Sequence, residues 1–473
     1  VPADRPPGPR PGQPALFEPD GAGLPDGEAL LGVAVAVHAA QQARVAGTEH
    51  PGRLGLLLAA DSAGALAAVE MAEAGLPWRV DVHDQVLAGL LGPRPAARRP
   101  PARLRELAER IGAAFGGLRV NPDSPAQVLR AFAAAGVPVR STRSHELRGL
   151  DHPAAPLLLE YKELARLHAA HGWSWQDAWV RDGRFRPEYV PGGVVSGRWA
   201  SRGGGALQIP RAVRRAVVAD PGWALVVADA SQLEPRVLAA LSGDRRMAAA
   251  AATGDLYAAL AADAFGGDRA RAKVALLAAM YGGEGGPALA VLRRRFPDAV
   301  GYVEAAARAG EEGRLVRSRL GRTCPPPSAR WLEATQGGRP EPDSARWLEA
   351  TRHGGPGLEP RPDDGARRPA RDRGRFTRNF VVQASAADWA LVVLAGVRRR
   401  LAGLAGAGPA AAPQLVFFQH DEVVVHCRQA DAAAVTAAVA GAAEEARRLV
   451  FGDTPVRFPL DGATVGCYAD AAK

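Results

Sequence analysis

The chain is 473 residues long, more than one hydrophobic core usually serves, so two or three subdomains are expected. Its 47% hydrophobic and 23% charged residues are those of a globular protein, and 59 Lys and Arg against 50 Asp and Glu leave a net charge of +9, which suits a polyanionic partner such as nucleic acid. Cys324, Cys427 and Cys467 lie far apart with no CxxC pair, which argues against a disulfide framework and a structural zinc site and fits a reducing cytoplasm.

Residues 1 to 28 are rich in Pro and Gly, show little periodicity and read as a disordered linker. The chain begins on Val1 rather than Met, as a fragment or an unusual start codon would, so upstream domains are expected to be missing. The apolar stretch Ala29 to Ala40 follows an acid-containing leader, a poor signal peptide. No uninterrupted apolar run reaches the roughly 18 to 20 residues of a membrane span, so no membrane contact is expected. From Glu28 to about Gly92 apolar residues recur at helical spacing, as at Leu66, Val69, Met71 and Leu76. A basic, Pro-rich break from Pro93 to Pro101 precedes a second helical stretch starting near Arg103. Asn121-Pro122-Asp123-Ser124-Pro125 signals a helix start, with Ser124 as N-cap and Pro125 in the first turn, and helices are expected to about Trp179.

Ala224 to Asp229 and Leu415 to His426 are rich in β-branched and aromatic residues and predict strands. The polar break Gln419 to Glu422 predicts a hairpin with charged residues at its tip. The octapeptide SARWLEAT occurs at Ser328 to Thr335 and again at Ser344 to Thr351, within Gly-, Pro- and charge-rich sequence. Two copies are too few for a solenoid, so a duplication in a surface loop, without chemistry, is expected.

Three elements carry chemistry. Asp229 ends an apolar strand, where a carboxylate is costly unless paired or bound to a cation; taken alone it reads as a helix N-cap. His420-Asp421-Glu422 sits at the hairpin tip and taken alone reads as a solvated turn. Brought side by side, the two sets of carboxylates would repel unless divalent cations bridged them, and oxygen-only ligands favour magnesium or manganese. The third element is Arg269-x3-Lys273-x3-Leu277-x3-Tyr281-Gly282. Steps of four residues advance each side chain by only about 40° around a helix, so these four share a face that changes from cationic to apolar and aromatic. Such a face suits a triphosphate and a base, although an ordinary amphipathic helix has the same pattern.

With these residues in hand, the chain resembles the family A DNA polymerases, the DNA polymerase I class, from about residue 29 to the end. Within that class it is most similar to the actinobacterial bifunctional 3′-5′ exonuclease/DNA polymerase proteins. The family's Asp-Tyr-Ser-Gln-Ile-Glu-Leu-Arg is similar to Asp229-Ala-Ser-Gln-Leu-Glu-Pro-Arg236, its Arg-x3-Lys-x3-Phe-x3-Tyr-Gly helix to Arg269–Gly282, and its His-Asp-Glu to His420–Glu422. Ser196-Gly197-Arg198 and Leu207-Gln208-Ile209-Pro210 look like the family's Thr-Gly-Arg and Leu-Gln-Asn-Ile-Pro. Arg375, Asn379 and Gln383 look like its Arg-x3-Asn-x3-Gln helix, and Tyr161 to His168 resembles a thumb segment that contacts the duplex.

The resemblance implies an α+β right-hand fold: a palm with an antiparallel sheet, and helical fingers and thumb. It implies thumb and palm-entry helices over 29–190, palm over 191–245 and 375–473, and fingers over 246–374 with a loop insertion at 323–372. It further implies that Asp229 and Asp421 ligate two Mg²⁺ ions, replaceable by Mn²⁺, with Glu422 accessory. Arg269, Lys273, Leu277, Tyr281, Gln232, Tyr257 and Glu234 would meet the dNTP, Glu234 excluding a ribose 2′-hydroxyl. Arg198, Gln208, Arg375, Asn379, Gln383 and His420 would meet primer-template DNA. A monomer at the cytoplasmic nucleoid is implied.

Leu277, Ala230, Pro235 and Tyr257 depart from the family's Phe, Tyr, Leu and His, which predicts a slow or specialised polymerase. Asp61 lacks an acid two positions on and residues 29–150 read as thumb helices, so no proofreading exonuclease site is expected in this chain. The competing readings are a weakened, mainly DNA-binding relative, a two-metal nuclease, which would not need the Arg-Lys-Tyr helix, and a phage-type RNA polymerase, which would not be expected to keep Glu234.

Overall fold

The computed structural model describes residues 27–96, 99–202, 208–283, 286–336, 364–404 and 412–471. Almost all of the expected linker and the whole second SARWLEAT copy lie outside them. The chain divides into two units, Val1–Gly55 and Leu56–Lys473. The first contains the helix Gly27–Ala46, on which Leu30, Leu31, Val33, Val35 and Val37 are all exposed.

Three helices are long and apolar enough to cross a membrane, namely Glu28–Ala46, Pro51–Ala74 and Arg368–Ala402. This corrects the expectation drawn from uninterrupted runs, because isolated charges interrupt the sequence without lowering the mean hydropathy of a helix-length window. Of the apolar window in Arg368–Ala402, 89% is buried inside the protein, as befits a core helix.

Two cores among the described residues of the second unit position the site. One is wholly helical. Leu104, Leu107 and Ile111 of helix Ala102–Ala114 and Val128 and Phe132 of Pro125–Ala134 close on Leu158, Tyr161 and Leu164 of Ala154–His171. Ser124 caps the second of these helices, its Oγ accepting from the Gln127 amide at 3.4 Å with Pro125 at the first turn. Met71 is fully buried, but Leu66 and Val69 are exposed and Leu76 lies in a two-residue strand, β1 (Leu76–Pro77), rather than a helix. The helical spacing expected through Leu76 stops at Ala74, where the helix ends, and the helix turns Leu66 and Val69 to solvent.

Short antiparallel pairings follow. β2 (Val180–Arg181) and β1 flank β3 (Arg184–Phe185), and β4 (Glu188–Val190) pairs with β5 (Ala200–Arg202). The main sheet has four antiparallel strands in the order β7-β8-β6-β9, from β6 (Trp223–Ala230), β7 (Gln414–Gln419), β8 (Glu422–Arg428) and β9 (Leu460–Val465). β7 and β8 form the expected hairpin, with His420 and Asp421 between them and a bulge between Leu415 and Phe417. Alternation along β6 puts Leu225, Val227 and Asp229 on one face. The first two enter the second core with Phe417, Val424, Tyr468, Trp78 and Phe185. The other face carries the small side chains Ala224, Val226 and Ala228, and the helix Ala432–Phe451 packs against β6, β8 and β9.

A single helix, Asp364–Ala402, crosses residue 375 and packs against the helices Pro297–Glu311 and Ala432–Phe451. The first SARWLEAT copy is the helix Ala329–Gln336 rather than a loop. It is docked by Trp331, whose Nε1 donates to the Pro369 carbonyl at 2.9 Å and whose ring lies under the Arg373 guanidinium. An apolar Trp and Leu on one side of the octapeptide make it amphipathic, and that pattern outweighs the loop-like surroundings.

Burial also fixes an acid sensitivity. His171 and His426 are 2% and 1% exposed, and burial pushes each imidazole down to about 4. Both are neutral in the fold and accept a proton more readily when unfolded, near the ordinary value of about 6.5. Their stabilisation is therefore complete above that pH and is lost as pH falls towards 4. Urea midpoints should fall across this window, and less so with His171→Gln and His426→Gln combined. An equal fall in that variant would assign the acid sensitivity elsewhere.

Candidate active site

The site begins where β6 ends. Asp229 is paired with Glu422 of β8 on one side and Asp461 of β9 on the other, so three carboxyl residues stand abreast at one level of the sheet. They line a cavity of about 340 Å³ with Arg211 and Arg214. Asp229 is a strand residue and not an N-cap. Gln232, at φ +58°, precedes the helix Leu233–Ser242, and the Ser231 hydroxyl donates to Asp461 at 2.6 Å. Glu422 accepts from the buried Tyr468 hydroxyl at 2.7 Å.

Asp421 stands at the hairpin tip, its carbonyl accepting from the Ala230 amide at 3.0 Å and its own amide donating back to Gln419 at 2.6 Å. The preceding His420 is at φ +54°. Left-handed non-glycine residues are uncommon, and finding one in each of the two turns that present carboxylates marks these turns as held in place by their surroundings. Burial, and next the charge of Asp229, push the Asp421 carboxyl up to about 7.

A second cavity, of about 200 Å³, is lined by Arg198, Gln232, Glu234, Tyr257, Leu277, His420 and Asp421. The helix Arg269–Tyr281 buries Ala272, Ala275, Leu276, Ala279 and Met280, which leaves Arg269 and Lys273 exposed, Leu277 half-buried and Tyr281 37% exposed. The face expected from four-residue steps thus exists. The Arg269 guanidinium and the Lys273 ammonium lie 5.6 and 6.0 Å from the Tyr257 ring centroid, and Arg269 Nε donates to Asp255 at 2.8 Å. Glu234 accepts from Arg198 through one oxygen and from the Tyr281 hydroxyl through the other. The Gln232 amide donates to Asp255 at 3.0 Å and accepts from the Leu256 amide at 2.9 Å. Burial and the nearby Arg198 charge both lower the His420 imidazole.

The remaining expected residues are more dispersed. Arg375, Asn379 and Gln383 lie at successive four-residue steps on the long helix. Arg375 comes up against Gly282, where φ is +73° and the backbone caps the helix Arg269–Tyr281. Next to them Arg378 donates to the Ala279 carbonyl at 3.0 Å and ties the two helices together. Gln208 does not line this cavity. With Gln419, Arg211 and Arg214 it lines a separate cavity of about 650 Å³ against the helix Ala154–His171, where Arg166 and His171 face it.

Sequence reasoning missed Asp255, Asp461 and Tyr468. Asp255 carries a local signal, as the N-cap of helix Leu256–Ala264, its side chain accepting from the Ala258 amide. Asp461 and Tyr468 reach the site only through strand pairing and carry none.

Residues 97–290 match the sequence model of DNA polymerase family A. DNA polymerase I of Chloroflexus aurantiacus is 36% identical over 160 residues, covering 32% of this chain and 17% of that protein. The thermostable DNA polymerase I of Thermus aquaticus is 35% identical over 117 residues, covering 23% and 14%. The matched stretches thus span less than a fifth of either relative. Among solved structures, the POL domain of Pol1 from M. smegmatis, in complex with DNA primer-template and dNTP, superposes with a TM-score of 0.68. That match covers 86% of this chain and 70% of the other at 20% identity, a likeness of fold. The chain thus has a polymerase-domain fold around an antiparallel sheet, and across residues 97–290 it carries the sequence pattern of DNA polymerase family A.

Proposed function

We propose that this chain is a DNA-dependent DNA polymerase, adding dNTPs to a primer 3′-hydroxyl under template direction with release of pyrophosphate. The observation that carries the reading is the 200 Å³ cavity, where the Asp421 tip, Glu234, Tyr257 and, from the cationic helix, Leu277 meet, while Asp229, whose charge acts on Asp421, lines the 340 Å³ cavity. The primer-template and dNTP bound by the structural relative support the same partners here.

Asp229 and Asp421 are the residues suited to hold two divalent cations, Mg²⁺ or Mn²⁺. The donors are hard oxygens, and a carboxyl pushed up to about 7 beside a second acid is an unfavourable pair that a cation relieves. Among the described residues no group of three or more His, Cys, Asp or Glu could hold a metal ion. Magnesium usually takes one or two carboxylates and completes its shell with phosphate and water oxygens. When bound, such ions neutralise charge developing on the attacking and leaving oxygens.

The side chains supply the rest. Arg269 and Lys273 hold the triphosphate, with Tyr257 beneath both cations and Asp255 fixing the Arg269 fork. Tyr281 and Leu277 offer the surface for base and sugar. Glu234, anchored at both oxygens, fills the space of a 2′-hydroxyl. Arg198 and His420 face the primer terminus, and Arg375, Asn379 and Gln383 the template side. Gln208, with the basic 650 Å³ groove beside helix Ala154–His171, follows the duplex. In this reading the thumb covers 29–190, the palm 191–245 and 375–473, and the fingers 246–374. The chain acts as a monomer at the nucleoid without its own exonuclease site.

Template-dependent primer extension with Mg²⁺ tests the reading. Within it, Glu234→Ala should admit ribonucleotides, raising their insertion relative to deoxynucleotides by at least about tenfold, as expected when a blocking contact worth more than about 1.4 kcal/mol is removed. Unchanged sugar selectivity would assign the gate to another residue.

A further inference from the structure

Arg322 lies in none of the motifs above, yet it sits where three elements meet. It closes the hairpin between Val316 and Cys324, its amide donating to the Ser318 hydroxyl at 2.9 Å and its carbonyl accepting from the Ser318 amide at 2.8 Å. Its side chain is 17% exposed. Nη2 donates to both oxygens of Asp61 at 3.0 and 3.2 Å, and Nε to Asp388 Oδ1 at 3.2 Å. Asp388 is fully buried on the long helix and also accepts from the Leu320 amide at 3.4 Å. With two carboxylates against it, this cation is neutralised within the protein and is a poor candidate for a DNA phosphate contact.

What the guanidinium touches on its other side is the turn that delivers Arg198. That turn is closed by the Gly197 amide on the Val194 carbonyl at 2.8 Å and the Val194 amide on the Arg198 carbonyl at 3.1 Å. Gly197 is at φ +84°, and a β-carbon there would overlap Nε and Cζ of Arg322. The planar group therefore lies directly against the backbone one residue before Arg198, whose own guanidinium reaches Glu234 and is attracted by Asp421.

We propose that Arg322 is a positioning residue which, braced by Asp61 and Asp388, holds the Val194–Arg198 turn so that Arg198 points into the nucleotide cavity. The proposal rests on the polymerase reading, in which Arg198 acts at the primer terminus. Only a flat, forked cation meets the requirement: it must reach two carboxylates and present a face to a glycine backbone at once, and a lysine ammonium cannot do both. Its effect on the reaction passes through Arg198, and misplacing that group by about 1 Å can cost up to about a hundredfold in rate.

The test is a double-mutant cycle in single-turnover insertion, on matched and mismatched primer ends, with Arg322→Gln, Arg198→Gln and both together. Arg322→Gln should slow insertion by about 10- to 100-fold and alter mismatch discrimination in the same sense as Arg198→Gln, with DNA affinity unchanged. The double variant should be no slower than Arg198→Gln alone, and Arg322→Lys should not restore the rate. Asp61→Asn, which removes a partly exposed partner, should shift both properties in the same direction by less and provides the cycle if Arg322→Gln fails to fold. Independent, additive losses would overturn the proposal. Hydrogen exchange at the Val194 and Gly197 amides, read without substrate, should quicken in Arg322→Gln and Asp61→Asn. Unchanged exchange in a chain that does extend primers would remove the proposal and leave the polymerase reading intact. Faster exchange in a chain that never extends them would do the reverse.

Discussion

Asp421→Ala is expected to reduce nucleotide incorporation by at least about a thousandfold while leaving primer-template affinity nearly unchanged. Losing a ligand to catalytic metal removes several kcal/mol of transition-state stabilisation, and each 1.36 kcal/mol is a factor of ten. Duplex affinity depends on phosphate contacts elsewhere, so it should hardly move. The fold should also survive. Above pH about 7 the Asp421 carboxylate is ionised beside Asp229 in a buried setting, and removing it relieves that repulsion. Without divalent cation the variant should therefore be as stable as the parent or slightly more so. Single-turnover incorporation, DNA titration and urea unfolding on one preparation check all three. A collapse of DNA binding, or of the fold, would mean that Asp421 is a structural residue of the hairpin.

The largest expected effect on stability comes from Arg236, which is fully buried. Its guanidinium donates to the carbonyls of Ser231 at 3.0 Å, Ala251 at 2.6 Å, Thr253 at 3.2 Å, Gly254 at 2.6 Å and Arg457 at 3.0 Å. One side chain thus joins the turn after Asp229, the loop leading to Asp255 and the segment entering β9. Arg236→Ala leaves five carbonyls without this donor and opens a cavity, and breaking such a network costs about 3–5 kcal/mol. Arg236→Lys should recover only a small part, because one ammonium cannot span the ring of acceptors. Denaturant unfolding measures the loss, and a change below about 1 kcal/mol would show that water or rearrangement satisfies the carbonyls. Because the 251–255 loop carries Asp255, a folded Arg236→Lys chain should also bind dNTP more weakly through Arg269.

Much of the site was legible because its residues sit in patterned segments. Asp229 ends a strand whose β-branched run is unmistakable, Asp421 interrupts a second such run, and the Arg269–Tyr281 face follows from helical geometry alone. Ser124 was readable as a cap for the same local reason. What was not legible depends on tertiary pairing. Asp461 meets Ser231 across 230 residues, and nothing around it in sequence distinguishes it from a surface acid. Arg322 is one arginine among many until Gly197 is seen against it. Gln232 was readable from its motif and lines the cavity, but its hydrogen bond to Asp255 was not. Leu66 and Val69 fit a helical stripe, yet the chain keeps them exposed, since spacing identifies a face without saying whether a neighbour covers it.

The central claim is tested most directly by extending a labelled primer on templates of defined sequence, with Mg²⁺ and one dNTP at a time. The account predicts addition of only the complementary nucleotide, abolished in Asp421→Ala and slower than for an ordinary repair polymerase because Leu277 and Tyr257 replace the usual aromatic and imidazole contacts. Firm primer-template binding with no extension by any dNTP would contradict it and identify the chain as a DNA-binding polymerase relative that has lost catalysis.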